Sequence, residues 1–545
     1  RWRYAICPAG RAPDGWDGEI VVPFSPESLL SGVGRQVGPE DELWYHRTFA
    51  LPEGFQKRSS DRVLLHFGAV DQEFRVFVNG ELAGEHRGGY LPFTLDILGI
   101  RDRGDNTLPA AGTARTSMGP HAYGKQSFTP GGIWYTPQSG IWQTVWLEAV
   151  PENYIKSLRF TPLYDEKTVR LQIEADRAEG ANIVVRKAGE VIAEEWADEK
   201  GEAAVLIQAE HFRPWSPDDP FLYDVTVTLG EDRVESYFAL RKISVVERQG
   251  QKVLALNDQP IFLSGVLDQG YWPDGLYTAP SDEALVYDIQ TMKDLGFNLL
   301  RKHIKIEPLR WYYHCDRLGM LVWQDLVSGG SHMNPLVIQV LPFLGVHLRD
   351  WRHQLFGRGD EAGRDQFVQD LYDTVALLYN TPSLAAWVPF NEGWGQFDSL
   401  QITQLLWEED GTRLVDHASG WHDQGGGDFK SRHVYFHKVR LRPDGRRVLA
   451  LTEFGGYSLP LPGHTASDRE FGYRMYRGAE ELTAAWRRLY EGEVIPHMER
   501  RGLSAAVYTQ LSDVEEEVNG LLTYDRKVCK VDPAVVREIN RRLRF

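Results

Sequence analysis

The sequence contains only three cysteines in 545 residues. Cys7, Cys315 and Cys529 lie far apart, and none belongs to a CxxC or Cys/His spacing. A disulfide framework needs paired cysteines and a structural zinc site needs such spacings, so the sequence supports neither. We predict no metal ion and no cofactor.

A long apolar run is also missing, since no stretch of about 18 apolar residues occurs. The N-terminal region lacks the basic segment followed by an apolar one that marks a secretory signal. These two absences predict a cytoplasmic protein that does not enter a membrane. Because the chain begins at Arg1 rather than at a methionine, the question whether a leader or a first strand precedes it is left open.

Positive charge is in deficit. The chain has 60 Lys and Arg against 77 Asp and Glu, a formal net charge of −17. No cluster of basic residues with interleaved aromatics offsets this excess. Phosphate backbones and anionic membranes repel such a surface, so we exclude nucleic acid and membranes as partners.

Length and composition indicate a multidomain globular protein. A chain of 545 residues predicts about three domains on length alone. The content of 17 Trp suggests platforms for sugar stacking in addition to core side chains.

Two β-rich regions come first. Residues 1–150 alternate short apolar runs with turn signals, which predicts a β-sandwich, and Asn79-Gly80 predicts a hairpin within it. Residues 109–115 contain Pro109 and Gly112, so we expect an edge segment or a loop there. Residues 151–246 alternate again and have the length of an immunoglobulin-like sandwich.

From residue 247 to residue 545 the pattern changes to strands alternating with helices, which predicts a parallel sheet. Residues 282–295 carry apolar residues at helical spacing and stop at Gly296. Eight candidate strands suit a (β/α)8 TIM barrel, whose chemistry lies at the C-terminal strand ends. These strands are residues 261–267, 298–303, 320–326, 385–391, 413–417, 433–436, 448–452 and 503–510.

Two of these strands deliver a glutamate into a glycine-containing loop. Glu392 precedes Gly393, and Glu453 stands two residues before Gly455. Paired carboxylates suggest glycoside hydrolysis, either retaining across roughly 5 Å or inverting across roughly 6.5–9.5 Å. Sequence spacing does not decide between these mechanisms. The alternative for either glutamate is a helix cap or an ion pair with an arginine.

The motifs around both glutamates resemble those of glycoside hydrolase family two, the β-galactosidase and β-glucuronidase family. They are the NEGWG run from Asn391 and the TEFG run from Thr452, and residues 131–148 are similar to the family's β-sandwich signature. The resemblance implies a retaining enzyme with a jelly-roll domain, an immunoglobulin-like domain and a (β/α)8 barrel. It also implies that Glu392 is the acid/base and Glu453 the nucleophile.

Other polar residues stand at the ends of the candidate strands, where they could hydrogen-bond sugar hydroxyls. They are Asp268, His303, Gln324, Asp325, Asn391, His417, His433, Tyr435 and Gln510. By the resemblance, Asn391 binds the sugar 2-hydroxyl and Tyr435 hydrogen-bonds Glu453. The alternative for each is a strand-end cap or an interdomain contact.

Trp394 and Trp421 lie in glycine-rich loops, where an aromatic face suits sugar stacking. For Trp421, filling a domain seam is an equal alternative. Four histidines cluster in the same part of the sequence, at positions 417, 422, 433 and 437. Their spacing matches no zinc template, so we assign no metal to them.

The sequence departs from the family pattern at the segments that bear on the choice of sugar, and it lacks the Asn-x-Lys motif associated with glucuronate. If Asp268 and Asp325 reach the pocket, they repel a substrate carboxylate. We therefore predict a neutral β-linked sugar, galactose before glucose or xylose, over glucuronate. A positive charge from Arg301 or Lys305 would reverse this preference.

Three functions compete. The first is a retaining exo-β-glycosidase, β-galactosidase-like, with β-glucuronidase, β-glucosidase or β-xylosidase activity as alternatives. The second is a non-catalytic carbohydrate-binding protein, which would normally have lost one of the two glutamates. The third is a transglycosylase. A carbohydrate or glycoside substrate is the expected partner. The sequence does not decide whether the protein forms a homo-oligomer.

Overall fold

The computed structural model describes residues 1–52, 55, 61–97, 104–113, 119–331 and 333–545. Its N-terminal part contains β1 (Trp2–Pro8), β2 (Gly18–Ile20), β3 (Asp41–Phe49), β4 (Arg62–Phe67), β5 (Val70–Asp71), β6 (Glu73–Val78), β7 (Glu81–Arg87), β8 (Phe93–Asp96), β9 (Asn106–Thr113), β10 (Gly140–Ile141) and β11 (Val145–Val150). A six-stranded sheet, β2-β1-β3-β9-β6-β7, shares one apolar core with the sheet β11-β4-β8. The predicted sandwich is present, and Asn79 and Gly80 form the turn of the β6–β7 hairpin.

The prediction of an edge segment or a loop at residues 109–115 is wrong over the described residues. β9 runs through the middle of the six-stranded sheet, between β3 and β6. The N–H and C=O of Thr107 hydrogen-bond Asn79, which directly follows β6. Backbone groups two residues apart in a strand point to the same side, so the nitrogen of Pro109 also faces β6 and not β3. Pairing with β6 begins only at Ala110, and the missing N–H therefore leaves the ladder to β3 intact. Residues 114 and 115 lie outside the described part.

The second unit is another antiparallel sandwich. It contains β12 (Ser157–Leu163), β13 (Thr168–Glu174), β14 (Asn182–Lys187), β15 (Glu190–Trp196), β16 (Glu202–Leu206), β17 (Tyr223–Leu229) and β18 (Asp232–Phe238). Its sheets are β12-β13-β16 and β15-β14-β17-β18. The alternation in β13 buries Val169, Leu171 and Ile173 in the core between them, as a half-buried strand requires.

The third unit contains the remaining strands and the helices. The strands are β19 (Ile243–Arg248), β20 (Gln251–Leu256), β21 (Gln259–Pro260), β22 (Leu263–Asp268), β23 (Leu299–Lys302), β24 (Leu321–Asp325), β25 (Leu384–Val388), β26 (Leu414–Val415), β27 (Phe429–Val434), β28 (Val448–Gly455), β29 (Tyr457–Ser458), β30 (Arg474–Met475) and β31 (Leu503–Thr509). The helices are α1 (Asp282–Asp294), α2 (Leu309–Leu318), α3 (Glu361–Leu378), α4 (Ser399–Glu409), α5 (Ala479–Leu489), α6 (Ile495–Arg501) and α7 (Pro533–Arg542).

Eight of these strands form one parallel sheet in the order β26-β25-β24-β23-β22-β31-β28-β27. This is the predicted barrel, open only between β26 and β27 in the described pairing. Alternate residues of each strand face its two sides. Leu267 and Leu299 pack inside the barrel, whereas Val266 and Leu300 pack against the surrounding helices.

The barrel differs from the sequence prediction in two details. The sixth strand is β27, which begins earlier than the predicted 433–436 and brings His433 near its end. The connections 416–428 and 435–447, described in full, contain no α-helix. They are therefore loops that lie beside the ends of β26 and β27.

The N-terminal end of the barrel is closed by the small sheet β19-β20-β21. Leu254 of β20 belongs to the same apolar cluster as the interior residues Leu263 and Leu321. A closed apolar floor leaves the C-terminal strand ends as the place for polar chemistry. Among the described helices, none has both the length and the apolar character needed to cross a bilayer.

Candidate active site

Glu453 lies inside the barrel, within β28, and its carboxylate is buried. Arg301 Nη1 donates to Glu453 Oε1 at 3.2 Å, and the Tyr435 hydroxyl donates to Oε2. Tyr435 in turn contacts Thr509 Oγ1 at 3.0 Å. Arg301 on β23 and Tyr435, one residue after β27, thus both stabilise the ionised carboxylate of Glu453.

Glu392 lies in the loop after β25, four residues beyond the last strand residue, Val388. Its backbone adopts φ 52°, and its N–H donates to Ser419 O at 3.0 Å. This left-handed turn is uncommon for a residue other than glycine. It places the Glu392 carboxylate Oε1 2.9 Å from His433 Nδ1.

The two carboxylates meet across a short gap. One oxygen of Glu392, one oxygen of Glu453 and a ring nitrogen of His433 all lie within 4.8 Å of one another. Retaining glycosidases separate their carboxyl groups by about 5 Å, whereas inverting enzymes need room for a water. The distance between the Glu392 and Glu453 carboxylates is therefore the short one, which suits a retaining mechanism.

The same pair of carboxyl groups is electrostatically asymmetric. Burial raises the pKa of Glu392 above its ordinary value, and the hydrogen bond from His433 only partly opposes this rise. Burial also acts to raise the pKa of Glu453, but His433 and Arg301 outweigh it, so the pKa of Glu453 is lowered. When the pair holds a single proton, the arrangement therefore favours that proton on Glu392 and the negative charge on Glu453.

Arg301 connects the charged groups of the barrel interior. Its Nε and Nη2 donate to the two oxygens of Asp325 at 2.9 and 2.8 Å, and Nη2 also donates to Asn391 Oδ1 at 2.8 Å. Asp325 Oδ2 lies 2.6 Å from His303 Nδ1, and burial lowers the pKa of His303 well below its ordinary value. Asp325 is therefore neutralised by Arg301 rather than free to repel a substrate carboxylate.

Asn391 leaves one donor open. Its Oδ1 is held by Arg301, but its buried Nδ2 has no hydrogen-bond partner among the described residues. A buried amide without a partner is costly unless a ligand satisfies it. The open Nδ2 is the kind of group that binds a sugar hydroxyl.

Aromatic rings surround the carboxylates. The ring centre of Trp394 lies 6.1 Å from that of His303 and 5.5 Å from that of Trp134. The ring centre of Trp421 lies 6.4 Å from that of His433. Trp421 also packs edge-on against Phe343, with ring centres 5.4 Å apart. Both tryptophans predicted from the loops therefore stand near the site.

Four predicted residues make their contacts elsewhere. Asp268 follows the inward-facing Leu267, so its carboxylate lies on the outer side of the barrel wall, 2.7 Å from Lys302 Nζ. Gln324 likewise accepts from Tyr312 of α2 at 2.6 Å. The condition under which Asp268 would repel a substrate carboxylate is thus not met, because its carboxylate is paired with Lys302. The period-two geometry of a strand, which the strand-end rule ignores, accounts for the difference.

The other two are His417 and Gln510. His417 Nε2 accepts from Gln424 N at 3.1 Å. Gln510 accepts from Gln269 and donates to Asn519, each at 2.7 Å. These contacts tie loops together beside the site.

Sequence reasoning missed two residues at this site. Tyr473 stacks on Tyr435 with ring centres 4.0 Å apart. Lys125, from the first sandwich, places its ammonium 5.7 Å from the centres of the Tyr135 and Trp394 rings. Neither stands at a strand end of the barrel, so the strand-end rule could not find them. Lys125 lies just before the 131–148 signature, and that proximity was the available signal.

Glu392, His433 and Glu453 are also the group of ligand-type side chains in the described residues that is compact enough to hold a metal ion. Arg301 and Tyr435 already donate to Glu453. A cation would compete with these donors, so the donor set favours an ionised carboxylate that acts directly.

Comparison with known proteins matches three consecutive family models. Residues 35–151 match the glycosyl hydrolases family 2 sugar binding domain, residues 153–241 match a further model described as glycosyl hydrolases family 2, and residues 247–437 match the family's TIM barrel domain. Together they extend over most of the chain.

Curated relatives are similar over part of their length. A β-galactosidase of Thermoanaerobacter pseudethanolicus is 27% identical over 308 residues, covering 53% of this chain and 40% of that protein. A putative β-glucuronidase of Formosa agariphila is 25% identical over 369 residues, covering 64% of this chain and 39% of that protein. The match thus spans about two fifths of these two relatives.

Solved structures are similar in fold over the whole chain. A β-D-glucuronidase from Dictyoglomus thermophilum aligns with a TM-score of 0.76 at 16% identity, covering 99% of this chain and 95% of that one. A β-galacturonidase from Eisenbergiella tayi aligns with a TM-score of 0.73 at 19% identity, covering 100% and 96%. The predicted architecture of jelly-roll sandwich, immunoglobulin-like sandwich and barrel is confirmed.

Proposed function

This chain belongs to glycosyl hydrolase family 2, and from that premise we propose that it is a retaining exo-β-glycosidase that removes a terminal β-linked sugar by double displacement. We also propose that its three units divide at residues 1–150, 151–246 and 247–545. The observation that carries the proposal is the short gap between two buried carboxylates with opposite pKa shifts.

In the first half-reaction, the Glu453 carboxylate attacks the anomeric carbon while Glu392 protonates the departing glycosidic oxygen. The C–O bond to the aglycone breaks as the C–O bond to Glu453 forms. In the second half-reaction, Glu392 takes a proton from water, whose oxygen displaces Glu453 from the anomeric carbon. The sugar leaves with its β configuration, and both carboxyl groups return to their starting protonation.

The neighbouring residues support these roles. Arg301 and Tyr435 hold Glu453 ionised and oriented. The open Nδ2 of Asn391 is positioned to donate to the sugar 2-hydroxyl, a contact that strengthens in the transition state. His433 contacts Glu392 Oε1 and orients it. The retention of both glutamates argues against a non-catalytic carbohydrate-binding protein.

The relatives give two candidates for the sugar, since one is a β-galactosidase and another a putative β-glucuronidase. The neutral-sugar preference expected from the sequence depended on free charges at Asp268 and Asp325. Both carboxylates are paired, with Lys302 and Arg301 respectively. That argument for galactose over glucuronate therefore no longer holds.

The test uses a panel of p-nitrophenyl β-glycosides with the intact protein and two variants. Glu453→Ala should lower kcat/KM on the best substrate on the order of 10⁴-fold or more, because the nucleophile is lost. Glu392→Ala should lower it roughly 10²- to 10⁴-fold for leaving groups that need a proton, and much less for activated ones.

Added azide then separates the two roles. With Glu453→Ala it should restore product as the α-glycosyl azide, and with Glu392→Ala it should yield the β-anomer. Glu499→Ala, an exposed position on α6, is the control and should behave as the unmodified protein. Near-normal turnover by both active-site variants, or no hydrolysis of any β-glycoside by the intact protein, contradicts the proposal.

A further inference from the structure

The first sandwich inserts a short segment into the C-terminal end of the barrel. Tyr123 and Gly124 both donate backbone N–H groups to Ser328 O at 2.9 Å. A Cβ on Gly124 would lie 3.0 Å from Ile304 O, and its φ is +62°, so the backbone approaches as closely as only glycine permits. This docking carries the next residue, Lys125, into the site.

Lys125 is a buried cation that forms no close ion pair with any described residue. Its side chain is 6% exposed, and its ammonium contacts the faces of Tyr135 and Trp394. Over the described ranges the ammonium itself forms neither an ion pair nor a hydrogen bond, whereas the backbone carbonyl of Lys125 accepts from the Tyr135 N–H at 2.9 Å. Its positive charge opposes the rise in the pKa of Glu392 that burial causes and adds to the lowering of the pKa of Glu453. The Trp394 ring that the ammonium contacts also lies 6.1 Å, centre to centre, from the ring of His303 in the barrel, so the ammonium stands beside the gap where a sugar would bind.

The other buried cations of this region are occupied. Arg301 is paired with Asp325, and both Lys302 and Lys305 contact Glu307. Cation–π contact compensates the lost hydration of a buried ammonium only in part. A desolvated cation of this kind gains most from a ligand that brings a negative charge.

We propose that Lys125 binds an anionic group of the substrate and makes the enzyme selective for β-glycosides of acidic sugars, with a hexuronate carboxylate as the expected group. The proposal rests on the glycosidase function proposed above and specifies its substrate class. A sulfate ester offers the same chemistry to the ammonium, and the experiment separates the two. Lys125 is thus a specificity-determining residue supplied by a different unit from the one that carries both glutamates.

The test measures kcat/KM for p-nitrophenyl β-glucuronide, β-galacturonide, β-galactoside and 6-sulfo-β-galactoside. The intact protein should prefer an acidic substrate to the neutral galactoside. Lys125→Gln removes the charge at similar length and should lower kcat/KM for the acidic substrate about 100-fold more than for the neutral one, mainly through KM. Lys125→Arg should restore much of that difference.

Lys167→Gln is the matched control, because Lys167 lies 5.7 Å from the ring centre of Phe212 in the second sandwich, the same cation–π distance far from the site. It should leave all four rates unchanged. Equal losses for acidic and neutral substrates in Lys125→Gln would assign Lys125 a purely electrostatic effect on the two glutamates and overturn the proposal. Selective loss on the sulfated substrate alone would identify sulfate as the anion.

Binding of free D-glucuronate and D-galactose by calorimetry gives a readout without hydrolysis. The intact protein should bind glucuronate at least about tenfold more tightly than Lys125→Gln does, with little difference for galactose. Equal glucuronate affinities would overturn the assignment of Lys125. If no glycoside is cleaved but this binding difference is present, the hydrolase proposal fails while the anion site stands.

Discussion

Glu392 and Glu453 carry the same side chain but occupy opposite electrostatic environments. Glu453 contacts the cation Arg301 and the hydroxyl of Tyr435, and His433 Nδ1 lies 3.6 Å from its Oε2. The Glu392 carboxylate contacts His433 Nδ1 and faces the negative charge of Glu453. Since a positive partner favours ionisation and burial disfavours it, the pKa values diverge in the directions that acid/base and nucleophile roles require.

This divergence predicts a bell-shaped dependence of kcat/KM on pH. Activity should fall at low pH as Glu453, whose pKa is lowered, gains a proton. It should fall at high pH as Glu392, whose pKa is raised, loses its proton. With a dinitrophenyl glycoside, which needs no protonation of the leaving group, Glu392→Gln should abolish the high-pH fall and keep the low-pH one. Initial rates across the pH range measure both limbs, and a persistent high-pH fall in the variant would contradict the assignment.

At the scale of elements, β9 shows how a strand accommodates residues that disfavour strands. Gly112 of β9 lies against β6, and a Cβ there would come 2.7 Å from the Phe74 ring and 2.8 Å from Glu73 O. Only a residue without a side chain lets the two strands pair at this register. The same composition that argues against a strand is thus required by its packing.

Gly112→Ala should therefore destabilise the first sandwich by about 1–3 kcal/mol, because an overpacked Cβ must displace backbone or an aromatic ring. Gly15→Ala is the matched control, since a Cβ at Gly15 meets nothing within 4 Å, and it should change stability by less than about 0.5 kcal/mol. Thermal and urea unfolding of both variants measures the difference. Equal stability of the two would show that β9 shifts at little cost.

At the scale of the whole molecule, three consecutive glutamates of the barrel hold the first sandwich. Gly132 N donates to Glu516 Oε2 at 3.0 Å, Thr136 N donates to Glu515 Oε1 at 3.0 Å, and the Tyr135 hydroxyl donates to Glu517. These contacts fall in the 131–148 signature. The signature is thus a docking segment, and it places Tyr135 beneath the Lys125 ammonium.

Glu515→Ala should loosen this docking, because the backbone N–H of Thr136 loses its acceptor at a cost of about 1–3 kcal/mol. We expect a lower unfolding midpoint and a reduced kcat/KM on the preferred substrate, with both active-site glutamates intact. Glu499→Ala, exposed on α6, serves as the control. An unchanged midpoint and rate in Glu515→Ala would show that the docking does not depend on this carboxylate.

The sequence by itself determined the architecture and the two glutamates. Period-two alternation marks strands such as β13 and repeated strand–helix order marks the barrel, because both patterns arise from local burial. Glu392 and Glu453 stand out in the sequence because each follows an apolar run and is followed within two residues by glycine. These are properties of a short stretch of chain, and they are readable without knowing its neighbours.

Only the tertiary structure decided how these residues are paired and charged. Asp325 lies on the inward face of its strand and Asp268 on the outward face of its own. Arg301 reaches Asp325 from another strand of the barrel and neutralises its charge. Lys125 reaches the site because one sandwich docks onto the barrel, and this brings it into contact with Trp394, about 270 positions away in the sequence. Charge pairing depends on distances in space, and local sequence patterns do not carry those distances.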